Sequence, residues 1–549
     1  EHEGIHLPAA EKAECLQLLE KEQQLSFDII QRQEQLRRPS PSPEGAWVDL
    51  ATVVPTLGAE AVKSLPRRGA GAAEEICLPA DTMWSDMILK TVPCGKTRRK
   101  LHDAQQTHDQ QGEEDMTGLL FVRQRLSQIR GYDSWAHYSQ REALFQSPDN
   151  VKQFLDATWE RLRPGLAMEL SLLAEEKQRL GLEGSKLEAW DVPLLLRSCK
   201  QKHEKSEEIS AYLTYAALMK GVELVLSRLL GLSFSQEQAT SGELWHPSVQ
   251  KYAIRDGERI LGILYLDPFQ RPGKMVQSAQ FTLQGSKMLQ NGDLQTPKTT
   301  LVYALPVGAT GLPLSFAITF MHEIGHAVHS LLSQTHFQHL SGTRGTVDFV
   351  EFPSHLFEHF VLDTDCLATY ARHLKTGADM PSHVRNYCRE SRTQFAHFEA
   401  AQQLMYAMVD QAFYACKPSA PDAAAEVHHH LQESMSRLDE ELEGSYNGTV
   451  LSLLGLSKPS KFDHLVHYGG SYYCYLFNRA LSAHVWQHGF QPDPFGDAAG
   501  ERLHEMFKGG SVVQSMDVIG TLCPGNAGFA AQDVPLGALM EQMGHVPPR

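Results

Sequence analysis

Residues 322–326 read His-Glu-Ile-Gly-His, a pattern that has a use only if the chain around it is helical. On a helix, positions i and i+4 share a face. His322 and His326 can then present both imidazoles to one metal ion, with Glu323 beside it and within reach of a proton on a bound water. The preceding residues support the helix. Pro313 suits a first turn, and Leu314, Ala317, Phe320 or Met321, Ile324 and Val328 recur at helical spacing. Imidazole suits zinc, and a catalytic zinc takes three protein ligands and keeps one position open. Downstream, Asp348-Phe349-Val350-Glu351-Phe352-Pro353-Ser354 sets the Glu351 carboxylate in an otherwise apolar stretch. If buried, it needs a partner, and a shared metal would be one. Glu351 is therefore the candidate third ligand.

The rest of the composition narrows partners more than chemistry. Fifty basic and 66 acidic residues leave a net charge of −16, which argues against nucleic acid and is compatible with basic peptides. The nine cysteines are an odd number, scattered from Cys15 to Cys523 with no Cys-x-x-Cys pair. They form no disulfide framework, and a reducing compartment is expected. The Asn447-Gly448-Thr449 sequon is read as chance. No apolar run approaches a membrane span, and no membrane partner is expected. At 549 residues the chain can bury a large core, and several domains are expected.

In chain order, residues 8–38 read as a helix, and the prolines at 39, 41 and 43 as an extended linker. Residues 66–78 read as a loop with a solvated Arg67-Arg68 pair. From Leu119 to about Leu232 long amphipathic helices are expected, the one over 150–180 capped by Asp149 or Ser147. Between 249 and 304 short β-rich runs separated by Asp256-Gly257, Pro272-Gly273 and Asn291-Gly292 predict a small antiparallel sheet. A run such as Leu301–Leu305 could be an edge strand that pairs with an extended peptide. Helices return after Glu351, and Pro353 predicts a local kink there. Glu358, two turns on, is a candidate acceptor for a ligand imidazole, with Asp348 as the alternative; His355 is read as a bystander. His428-His429-His430 cannot share one helix face and are expected to be exposed. Gly469-Gly470 permits an unusual, mobile backbone. Tyr472 and Tyr475 follow, sharing a helix face. The chain divides into 1–115, 116–248 (helical scaffold) and 249–549 (sheet, motif helix and carboxy-terminal helices).

Residues 320–332 with 342–358, and again 464–476, resemble the signature of the thimet oligopeptidase family of zinc peptidases. Within that family the likeness is strongest to members that process imported mitochondrial precursors. It covers about residues 120–520. The resemblance implies one Zn2+ per chain on His322, His326 and Glu351, with Glu323 as general base. It also implies a mainly α fold of two lobes around a deep channel, with the small sheet near the zinc. In this family the tyrosine face looks at the metal, so Tyr475, helped by His464, Tyr468 or Tyr472, is expected to stabilise the oxyanion. Asp267-Pro268-Phe269-Gln270-Arg271 resembles a processing-peptidase segment, with Pro268 in place of an aromatic. The first helix resembles the middle of the family's amino-terminal lobe, so the chain reads as truncated at its front and 1–115 as the remnant of that lobe. The implied activity is that of a monomeric mitochondrial matrix endopeptidase removing a short amino-terminal segment from unfolded precursors. The alternatives are a cytosolic general oligopeptidase and a helical peptide-binding module without catalysis.

Overall fold

The computed structural model describes residues 4–37, 45–71, 74–80, 83–106, 110–201, 206–275, 278–442, 446–455, 459–513, 516–523 and 529–544. The fold is mainly α. The first helix, Ala9–Arg37, packs along Gln110–Ile129 through Cys15, Val122 and Leu126. The proline linker expected at 39–43 lies outside the described residues. The loop expected at 66–78 instead contributes two strands. β1 (Ala46–Asp49), β2 (Arg67–Arg68) and β3 (Glu75–Leu78) form a sheet in the order β1-β3-β2. Arg67 and Arg68 are exposed there but paired, with Glu74 at 2.8 Å and Glu75 at 2.7 Å. This sheet has its own small core, built on Val48, Val53, Ile76, Leu78, Ile88 and Leu101.

The scaffold helices form where expected. The longest, Pro148–Arg179, starts with Ser147 accepting from the Asn150 N–H and Pro148 at its first turn, a position where proline loses no intrahelical bond. The helix Tyr215–Leu224 ends in a π turn, Val225–Leu229.

The second sheet has five strands: β4 (Ser233–Glu237), β5 (Gln250–Asp256), β6 (Arg259–Phe269), β7 (Ala279–Gln284) and β8 (Lys298–Leu305), in the order β4-β5-β6-β8-β7. β4 was not expected, because its polar Ser-Phe-Ser-Gln-Glu sequence lacks a strand's apolar alternation. The pairings are antiparallel except β6 with β8, which is parallel. That one crossover moves β8 into the interior, so the expected edge strand at 301–305 is central and β7 is the edge on that side. Asp267, near the end of β6, is buried between Arg271 at 2.7 Å and Lys274 at 2.9 Å, with the Trp245 indole N–H at 3.0 Å. It is a structural clamp.

The sheet carries the motif helix Leu314–Leu332 on one face. Gly262 of β6 makes this possible, since a methyl there would sit 2.7 Å from the Leu331 Cβ. The Tyr303 hydroxyl of β8 donates to the Phe320 carbonyl at 3.0 Å, and the two rings stack. Among the described residues no helix is long and apolar enough to cross a membrane.

Candidate functional site

His322 and His326 project from one face of the motif helix, their rings 5.0 Å apart and edge-on. Gly325, between them, is where a second helix, Phe352–Leu362, crosses. A methyl at 325 would come within 2.7 Å of both the Pro353 carbonyl oxygen and the Ser354 Cα. The crossing brings Glu351 under the histidines. The expected kink at Pro353 is a full break: a short helix, Val347–Val350, ends at Glu351, and the next begins at Phe352 with proline in its first turn.

Glu351 Oε2 lies 3.4 Å from His322 Nε2 and 3.2 Å from His326 Nε2. Two ligand atoms on a tetrahedral zinc, each at ~2.0–2.1 Å, stand about 3.3 Å apart, so this spacing fits a shared ion. The electrostatics agree. Burial alone would lower the His322 pKa, yet Glu351 and Glu358 raise it to about 10. Burial would raise the Glu351 carboxyl, and His326 and His322 outweigh it, holding it well below the ordinary range. Such a pocket favours a cation.

Glu358 does what the sequence suggested, since its Oε1 accepts from His322 Nδ1 at 2.9 Å. This fixes the tautomer that leaves Nε2 free. His355 is not a bystander. Its Nδ1 shares the same oxygen at 2.8 Å, and its ring packs edge-on against His322 at 5.1 Å. His322, His355 and Glu358 are themselves close enough to hold an ion. However, both imidazoles already bond one carboxylate oxygen, and Arg392 closes on the other, which disfavours a second cation. Asp348, the alternative acceptor, is elsewhere. It takes the Leu144 and Phe145 N–H groups and the Tyr473 hydroxyl at 3.1, 3.3 and 3.0 Å.

Glu323 is 9% exposed. Burial raises its pKa against the pull of His326 and His322, a poise suited to accepting a proton. It opens on a cleft of about 620 Å³. The wall includes His322, His326 and Glu351 on one side and Ser278, Ala279 and Gln280, at the head of edge strand β7, on another. His464, His467, Tyr468 and Tyr475 line it as well.

The second motif approaches through a clamped turn. Gly470 has φ +81°, and its N–H donates to Asp410 at 2.8 Å while its carbonyl accepts from Gln140 and Gln411. A methyl on Gly469 would strike Arg123 at 2.6 Å and the Tyr414 phenol at 2.7 Å. Gly470 takes the unusual backbone expected of the pair, and Gly469 lets Arg123 and Tyr414 approach closely. Tyr468 and Tyr475 rings lie 5.7 Å apart, and burial raises both pKa values. Both therefore stay protonated as donors. His464 bonds Asp463 at 2.8 Å and stands edge-on to Tyr475 at 5.9 Å. Tyr472 precedes the helix Cys474–Val485 and does not line the cleft. Its hydroxyl donates to Gln403 at 3.0 Å, and its ring packs on Tyr475.

His467, Asp463, Thr343 and the 278–280 segment line the cleft without having been singled out. His467 follows His464 at i+3 and could have been read from that spacing. Ser278–Gln280 carries no chemical signal in sequence.

Residues 88–522 match peptidase family M3. Human mitochondrial intermediate peptidase is 32% identical over 392 residues, 70% of this chain and 53% of that protein. The Arabidopsis thaliana mitochondrial intermediate peptidase is 30% identical over 397 residues, 71% of this chain and 54% of that protein. The chain thus spans about half the length of the curated relatives it matches. Among solved structures, PZ peptidase A with inhibitor 2 aligns over 97% of this chain and 76% of that one, with a TM-score of 0.51 and 13% identity. At that identity the likeness is one of fold.

Proposed function

The chain belongs to peptidase family M3, and on that premise we propose that it is a zinc metalloendopeptidase of the His-Glu-x-x-His type. Its substrates would be unfolded precursor proteins in the mitochondrial matrix, from which it removes a short amino-terminal segment. The observation that carries the chemistry is the convergence of His322 Nε2, His326 Nε2 and Glu351 Oε2 within zinc-ligand spacing. The likeness to mitochondrial intermediate peptidases from animals and plants supports the substrate and compartment.

His322, His326 and Glu351 would hold the zinc, which would supply Lewis acidity toward the scissile carbonyl and lower the pKa of a water. Glu323 accepts that water's proton and delivers it to the leaving amine. The Tyr475 and Tyr468 phenols, with His464, donate to the oxygen on which negative charge develops. Tyr472 acts through Tyr475, holding its ring. An extended substrate pairs with the exposed edge of β7, whose head lies in the cleft wall, so the backbone is gripped without reading side chains.

A panel of purified substrates tests the reading. Zinc-loaded protein should cut unfolded precursor amino termini at one position each and leave unrelated peptides intact. Equal cleavage of both classes would replace precursor processing with general oligopeptidase activity.

A further inference from the structure

Strand β7 is amphipathic in the opposite sense to the sheet it closes. A sheet with one face packed on a helix turns apolar side chains inward and polar ones to water. β8 obeys this, with Leu301, Tyr303 and Leu305 buried in the main core. β7, the neighbouring edge, reverses it. The Gln280 amide faces inward, donating to Thr299 Oγ1 and, at 3.4 Å, to Ser330 Oγ on the motif helix. Phe281 lies in register with Thr300 and Tyr265, in the row that turns away from that helix. Tyr265 is covered there by a separate small cluster with Val249, Ala253 and Ile263. Over β7 the cover stops: Phe281 is 45% exposed and Leu283, two residues on, 52%.

An open apolar edge is a template for another chain, and charges or prolines usually blunt it. The β7 sequence, Ala-Gln-Phe-Thr-Leu-Gln, holds neither. Its head lies in the metal cleft, where Ala279 and Gln280 share the wall with Glu323. A chain paired with β7 therefore runs from the cleft past Phe281 toward Leu283, where a bulge between Thr282 and Gln284 ends regular pairing. Side chains directly opposite on one face of a sheet stand about 4.5–5.5 Å apart. Every second residue of that chain would lie beside Phe281 or Leu283, and the residues between them beside Gln280 and Thr282.

We propose that Phe281 and Leu283 are specificity-determining residues, selecting extended segments that carry large apolar side chains at alternate positions next to the cleavage site. The backbone bonds to β7 are blind to sequence; these two side chains are not. An apolar side chain laid on either one takes apolar surface of both partners out of water. The inference rests on the pairing of substrate with β7 proposed above, and it names the kind of segment that pairs.

Two peptides of one composition, polar apart from two leucines, test it. In one the leucines are two positions apart and share a face of the strand; in the other they are adjacent and cannot. Binding is read by fluorescence anisotropy with zinc-loaded Glu323→Gln, which requires no turnover. The first peptide should bind ~3- to 10-fold more tightly. Adding Phe281→Ser or Leu283→Ser should bring the ratio toward 1 without changing zinc content or melting temperature, and Phe281→Leu should keep the preference. Equal binding of the two peptides, or a preference that survives both serine variants, would overturn the proposal. So would self-association of the protein that Phe281→Ser abolishes, with no preference between peptides, which would assign the face to a second copy of the chain. Failure of zinc-loaded wild type to cut either peptide, with the binding preference intact, would remove the peptidase reading and leave this one standing.

Discussion

Glu323 and Glu358 differ in what they touch, and substitution should separate their effects. Glu323 faces the cleft, with burial raising its pKa, and is not placed as a ligand. Glu323→Gln should retain zinc and lose ~10²- to 10⁴-fold in turnover; a variant with near-normal turnover would reject the general-base role. Glu358 orients His322 from behind. Glu358→Ala should weaken zinc ~10- to 100-fold and leave Arg392 and His355 without their shared acceptor. At this scale His322, His326 and Glu351 were legible, because helix periodicity and one apolar context suffice to nominate them. The part played by Tyr472 was not. Whether a phenol faces the cleft depends on Gln403, a partner 69 residues away, which periodicity cannot supply.

Between elements, close approach decides the site. The two ligand-bearing segments meet at Gly325, and the obstacle to a methyl there is backbone on the other side, which cannot rotate away. Gly325→Ala gains about 1 kcal/mol of helix propensity. The clash costs about 1–3 kcal/mol and acts where ligand geometry is set. Zinc affinity should therefore fall even if the melting temperature barely moves, and an unchanged affinity would contradict this packing role. The turn that presents the tyrosines hangs on Asp410, which accepts from the Gly470 and Tyr472 N–H groups. Burial outweighs those bonds and raises its pKa from 3.8 to about 7. The folded carboxyl keeps a proton that the unfolded chain releases. Its stabilising contribution is then full below about pH 4 and is lost as the pH rises to about 7. The stability of wild type minus that of Asp410→Asn should fall across this window and level off above it; a difference that grows with pH would reject the assignment. Sequence marked these elements but not their neighbours. The β-rich runs announced the second sheet, while the parallel β6–β8 pairing, which makes β7 the edge, follows from a crossover that no local pattern encodes.

For the molecule as a whole, one large core joins the scaffold helices to the site helices, while residues 46–101 keep a smaller core of their own. The motif helix lies between the sheet and the helix 352–362, so a ligand on its face draws together segments that the chain separates. Binding there stabilises only the folded state, and adding zinc should raise the melting temperature of wild type but not of His326→Ala. The claim on which everything else depends is that His322, His326 and Glu351 share one ion. Metal content after dialysis, measured by mass spectrometry on wild type, Glu323→Gln, His326→Ala and Glu351→Ala, tests it most directly. The account predicts one zinc per chain in the first two and far less in the last two; full zinc content in Glu351→Ala would contradict it.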